Sequence, residues 1–156
     1  MLKRVLKRSA QTAVAAIAPH LWRHRSNMLL VLMYHRILSR DDPRREIEQP
    51  GMVVCADTFR LHLAVLKRHF QIVKLKDWTD AVTTGAPIPP RACAITFDDG
   101  WRDNFENAYP ALREAGVPAT IFLVSDVVGT NKTFWPERLG MALLRGLREY
   151  GDDLFS

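Results

Sequence analysis

Short unbroken apolar runs alternate along the chain with longer segments in which apolar residues recur every three or four positions. Residues 28–34 and 92–97 show no polar alternation, the pattern of strands covered on both faces. Residues 119–124 (Ala-Thr-Ile-Phe-Leu-Val) read as a further strand and residues 71–75 as a weak one. Between them, Phe59, Leu63, Leu66 and Phe70 lie on one helical face, predicting a helix over 58–69 with Asp57 as its N-cap. A short helix over 76–84 should close at Gly85. Trp101, Phe105, Ala108, Leu112 and Ala115 predict another helix, which Pro110 must kink or restart before Gly116 ends it. Pro136 opens a last helix along Leu139, Leu143 and Leu147. Strands alternating with helices imply parallel pairing, hence an α/β fold: an open doubly wound sheet or part of a barrel. Four strands are about half of a (β/α) barrel of roughly 250 residues.

Residues 41–46 and 86–91 are charged or proline-rich connectors. With 47% hydrophobic and 25% charged residues, the 156-residue chain has the composition of an ordinary globular protein. Its net charge of +5 misleads, because Lys3, Arg4, Lys7, Arg8, Arg23 and Arg25 face no acidic residue within positions 1–25. The remainder balances to −1, which argues against a nucleic-acid surface across the domain. Residues 1–25 are therefore read as a basic N-terminal arm and residues 26–156 as the domain. The longest apolar run of the arm is six residues, Ala13 to Ala18, short for a secretory signal and far short of a bilayer span. Two readings stay open for it: a helix packed at the domain edge, or one making weak contact with an anionic membrane surface. A cytoplasmic or membrane-peripheral location is favoured over a secreted one. Cys55 and Cys93 have no metal-binding or redox spacing.

The chemistry concentrates at Thr96-Phe-Asp-Asp-Gly100, which places two adjacent carboxylates between a buried strand and a helix. Active sites of α/β folds collect at such strand ends. Neighbouring side chains on a turn point apart, so the pair divides tasks more readily than it chelates one ion. Such a pair can divide the work, one carboxylate binding a metal while the other handles a proton. Taken alone, Asp-Asp-Gly is also an ordinary turn sequence.

Together with Asn107-Ala-Tyr-Pro110, Gly116-Val-Pro-Ala-Thr-Ile-Phe-Leu123, Leu32-Met-Tyr-His35 and Phe134-Trp-Pro-Glu137, this stretch resembles the polysaccharide deacetylase, or NodB-homology, family over about residues 28–140. The resemblance implies the N-terminal part of a distorted (β/α) barrel that removes acetyl groups from N-acetylated, or sometimes O-acetylated, glycans. It implies that Asp98 is the general base and that Asp99 is a ligand to a divalent metal, usually zinc, with cobalt or manganese as alternatives. The family takes its other two ligands from a later histidine motif and its general-acid histidine from near the barrel's end. No histidine follows Trp135, so the chain is expected to be truncated and inactive alone.

Of the five histidines, His62 and His69 fall on the predicted helix, whereas His35 ends a strand at the presumed site face. His35, Trp101 and Trp135 are candidates for lining the substrate, with structural packing as the competing use of each. Ser125 and Asp126 follow a strand and serve a pocket or a turn. Two other functional classes stay open. One is a noncatalytic remnant of such an enzyme. The other is a different carboxylate-metal hydrolase such as a phosphatase, against which the adjacency of the two aspartates counts.

Overall fold

The computed structural model describes residues 28–48 and 51–151, so the basic arm lies outside the described residues. The described chain forms two compact units divided between Phe122 and Leu123.

In the first unit, β1 (Leu29–Tyr34) runs parallel to β5 (Ala92–Phe97), in register from Leu29 opposite Ala92 to Tyr34 opposite Phe97. The other edge of β5 is shared: β4 (Gln71–Ile72) pairs with its start and β6 (Thr120–Ile121) with its end, both parallel. A separate parallel pair joins β2 (Arg36–Leu38) to β3 (Val53–Cys55). All six residues of β5 are buried, as a strand without alternation should be. The same expectation fails for β1, where Val31 is 46% and Met33 59% exposed. Among the described residues, only one face of that strand is covered.

Helix α1 (Ala56–His69) lays Phe59, Leu63 and Leu66 on the sheet, and α2 (Leu75–Thr84) ends at Gly85 with φ of 70°. Asp57 is not the cap of α1. Cys55 occupies that position without a side-chain hydrogen bond, and Asp57 sits in the first turn, where its charge complements the helix dipole. The weak strand ends at Ile72 because Leu75 already begins α2. A 3₁₀ turn, Pro43–Glu46, interrupts the first connector. The run 119–124 pairs only at Thr120 and Ile121, and Phe122 adds one backbone bond, its N–H donating to Phe97 O at 2.8 Å.

Pro110 restarts its helix rather than kinking it. The chain makes a π-helical turn over Asn104–Ala108, in which Tyr109 N–H donates to Asn104 O, and α3 (Tyr109–Ala115) begins with Pro110 in its first turn. The wider turn shifts the helical phase. Asp103 and Asn104 are buried, while Phe105, which an unbroken 3.6-residue period puts inside, is 72% exposed and stacks on Tyr109.

Tyr34, Phe59 and Phe97 form an aromatic cluster with ring centroids 5.1–5.7 Å apart. The Tyr34 hydroxyl is hydrogen-bonded to His62 Nδ1 at 3.1 Å, which gives that histidine a packing role. Burial, with the nearby Cys93 thiol adding to it, pushes the Tyr34 phenol up to about 12. Burial likewise pushes the Cys93 thiol up to about 11, and its side chain is inaccessible whereas Cys55 is half-buried. One thiol per native chain, that of Cys55, should therefore react with a disulfide reagent at pH 8, the second reacting only in denaturant. Equal native reactivity of both would contradict this packing.

In the second unit, α4 (Trp135–Tyr150) starts with Pro136 in its first turn, and its Leu139, Leu143 and Leu147 are 51%, 40% and 42% exposed. Among the described residues no helix is long and apolar enough to cross a membrane.

Candidate active site

Register builds the site. Tyr34 pairs with Phe97, so the next residues of the two parallel strands, His35 and Asp98, emerge side by side at their C-terminal ends. The ladder extends one step to hold them there, with Asp98 N–H donating to Tyr34 O at 2.9 Å. His35 Nε2 then lies 3.9 Å from Asp98 Oδ2, with about a fifth and three tenths of their side-chain surfaces exposed. Both groups are open to solvent or a ligand while their backbones are fixed by the sheet.

The chain leaves β5 sharply because Asp99 and Gly100 both take left-handed conformations, φ of 71° and 72°. Glycine adopts this freely and aspartate at modest cost. Trp101 Nε1–H donates to Asp99 Oδ2 at 3.2 Å, and the Arg36 guanidinium lies 4.2 Å from the Trp101 ring centre.

Arg36 is itself a hub. It is 5% exposed and follows His35 directly. Its Nε and Nη2 donate to Oδ2 of the fully buried Asp103 at 3.0 and 2.9 Å, and its Nη1 to Glu48. Asp103 Oδ1 accepts from Ile37 N–H at 2.8 Å, and Asn107 Nδ2 donates to Ile37 O at 2.7 Å. The segment after the two aspartates is thus tied to β2 by a buried, charge-assisted network.

Residues 85–153 match the family model described as Polysaccharide deacetylase. The chain is 32% identical over 112 residues to Bacillus subtilis YxkH, whose name places it among polysaccharide deacetylases, covering 71% of this chain and 37% of that protein. It is 28% identical over 117 residues to the poly-β-1,6-N-acetyl-D-glucosamine N-deacetylase of Staphylococcus epidermidis, covering 70% and 40%. The fold matches that of a Streptococcus pyogenes deacetylase solved with acetate, at a TM-score of 0.57 and 20% identity over 75% of this chain and 51% of that one. It also matches IcaB from Ammonifex degensii, at a TM-score of 0.55 and 24% identity over 67% and 41%.

The chain is similar to the N-terminal portion of polysaccharide deacetylases.

Its α/β architecture of parallel strands is accordingly that of the N-terminal part of a NodB-type barrel. The chain spans about two fifths of the length of the curated relatives it matches.

For a deacetylase of this type the resemblance implies a divalent cation at Asp99. Among the described residues, no three His, Cys, Asp or Glu side chains are grouped to hold one. A catalytic zinc takes three protein ligands. The described residues therefore do not fit a complete metal site.

Of the sequence-predicted residues, the structure brings together Asp98, Asp99, His35 and Trp101. Trp101 is half-buried with Arg36 over its ring, and Trp135 is 73% exposed at the start of α4 in the second unit. Ser125 and Asp126 also fall in the second unit, where residues 125–129 form turns. Sequence reasoning missed Arg36, Asp103 and Glu48. The available signal was an arginine two positions after an apolar strand run, since a buried guanidinium requires a carboxylate and a third aspartate stands five positions after Asp98.

Proposed function

We propose that this chain contributes the proton-handling half of a deacetylase site acting on N-acetylated, or else O-acetylated, glycans. The observation that supports this most directly is the Asp98–His35 pair at the ends of adjacent parallel strands. In this reading Asp98 accepts the proton of a water molecule as its oxygen attacks the acetyl carbonyl carbon. Collapse of the tetrahedral intermediate breaks the carbon–nitrogen bond and releases acetate. The departing amine takes up a proton, for which the resemblance implies a histidine outside the described residues, while His35, beside Asp98, is placed to line the substrate.

Asp99 points its chemistry elsewhere. One of its oxygens accepts from Trp101, which leaves Asp98 as the carboxylate next to the imidazole. In this proposal Asp99 is the carboxylate available to a divalent cation, zinc being the first to test, with its further ligands outside the described residues. The name of the Staphylococcus epidermidis relative suggests β-1,6-linked N-acetylglucosamine polymers as the first substrate to try.

Acetate release from N-acetylglucosamine oligomers, measured with zinc, cobalt or manganese added to the protein, tests the proposal. Acetate release that depends on added metal and vanishes on its removal is the expected result. Phosphate release from a simple ester without acetate release would favour a different hydrolase, and no turnover with any acetylated glycan would favour a noncatalytic domain.

A further inference from the structure

Among the residues of the site, Asp99 occupies the most constrained position: a non-glycine residue at φ of 71°, next to another left-handed residue, with a carboxylate only partly shielded from water. Such a conformation persists where the surroundings hold it. The Trp101 indole N–H supplies a hold at 3.2 Å, and the Arg36 guanidinium in turn lies over the Trp101 ring, 4.2 Å from its centre. Arg36 cannot drift, because Asp103 and Glu48 grip its nitrogens from two sides in the interior. Arg36 also directly follows His35 in the chain.

We infer that Trp101 is a positioning residue, its indole N–H aiming the Asp99 carboxylate while the Glu48–Arg36–Asp103 network fixes the indole. The inference rests on the deacetylase reading for its catalytic consequence but not for the contact itself. A planar guanidinium over an indole is a favourable cation–π arrangement that lysine reproduces poorly, since it lacks both the flat face and the fork. Trp101 thus has its ring face engaged by Arg36 and its N–H engaged by Asp99, which makes it a spacer of fixed length between the buried network and the site.

The test uses Trp101→Phe, which keeps an aromatic ring beneath Arg36 and removes the N–H. In the intact protein, kcat for acetate release should fall roughly 10- to 100-fold, the scale for losing a group that orients a functional side chain, while KM stays within about twofold. Independently of turnover, the Trp101 indole N–H resonance should move in Asp99→Ala, and the Asp99 carboxyl carbon resonance should move in Trp101→Phe. Unchanged resonances in both variants, or an unchanged kcat in Trp101→Phe, would overturn the inference. If the wild-type protein releases no acetate, the deacetylase reading fails and the two resonances alone decide the positioning role.

Discussion

Replacing Asp103 with alanine lowers the free energy of unfolding by about 3–5 kcal/mol, the range for removing one partner of a buried ion pair. Asp103 has no exposed surface, and both its oxygens are used: Oδ2 by two nitrogens of Arg36 and Oδ1 by the amide of Ile37. The alanine variant strands two groups at once. Arg36 keeps Glu48 but loses both hydrogen bonds to Oδ2, and the buried Ile37 N–H loses its acceptor, which alone costs about 1–3 kcal/mol. Asp103→Asn retains an acceptor for Ile37 and should fall between the two. Urea unfolding followed by circular dichroism measures the series, and a loss below about 1 kcal/mol for the alanine variant would show that the network contributes little.

For Asp98→Asn, turnover should fall by roughly 10² or more, the usual scale for losing a general base. The bond that fixes residue 98 runs from its backbone N–H to Tyr34 O, so the asparagine side chain leaves the strand register untouched. Asparagine has nearly the same shape and cannot take up a proton at neutral pH. The thermal midpoint should therefore stay close to wild type while acetate release collapses. A variant that turns over at more than about a tenth of the wild-type rate would remove Asp98 from the role of base. A collapse accompanied by a large drop in melting temperature would assign it a structural role instead.

Local chemistry made much of this readable beforehand. β5 was legible to the residue because six apolar or small residues end at a charged turn, and α1 declared its buried face through Phe59, Leu63 and Leu66. The position of the adjacent carboxylates, at the turn that follows a buried strand, was legible as well. Phe105 was misplaced inside because the π-helical turn that Pro110 helps to create is invisible to a fixed 3.6-residue period. The covering of β1 was overestimated for a related reason: an apolar run reports what a strand tolerates, and Val31 and Met33 are exposed all the same. The Arg36–Asp103 pair joins residues 67 positions apart, a pairing that only the strand register brings about.

That register also sets the order of events as the chain is made. Leu29 finds its neighbour in Ala92, 63 positions later, and β4 cannot pair before β5 either. At translation rates of about 5–20 residues per second, β1 waits roughly 3–13 s after its synthesis before its partner β5 exists to receive it. During that interval its Leu- and Val-rich backbone is an unpaired edge of the kind that chaperones bind and that aggregation exploits. Closing so long a loop is slow on entropic grounds. β5 is thus the strand whose emergence lets β1 and β4 join one sheet, and it brings Asp98 to His35 in the same event.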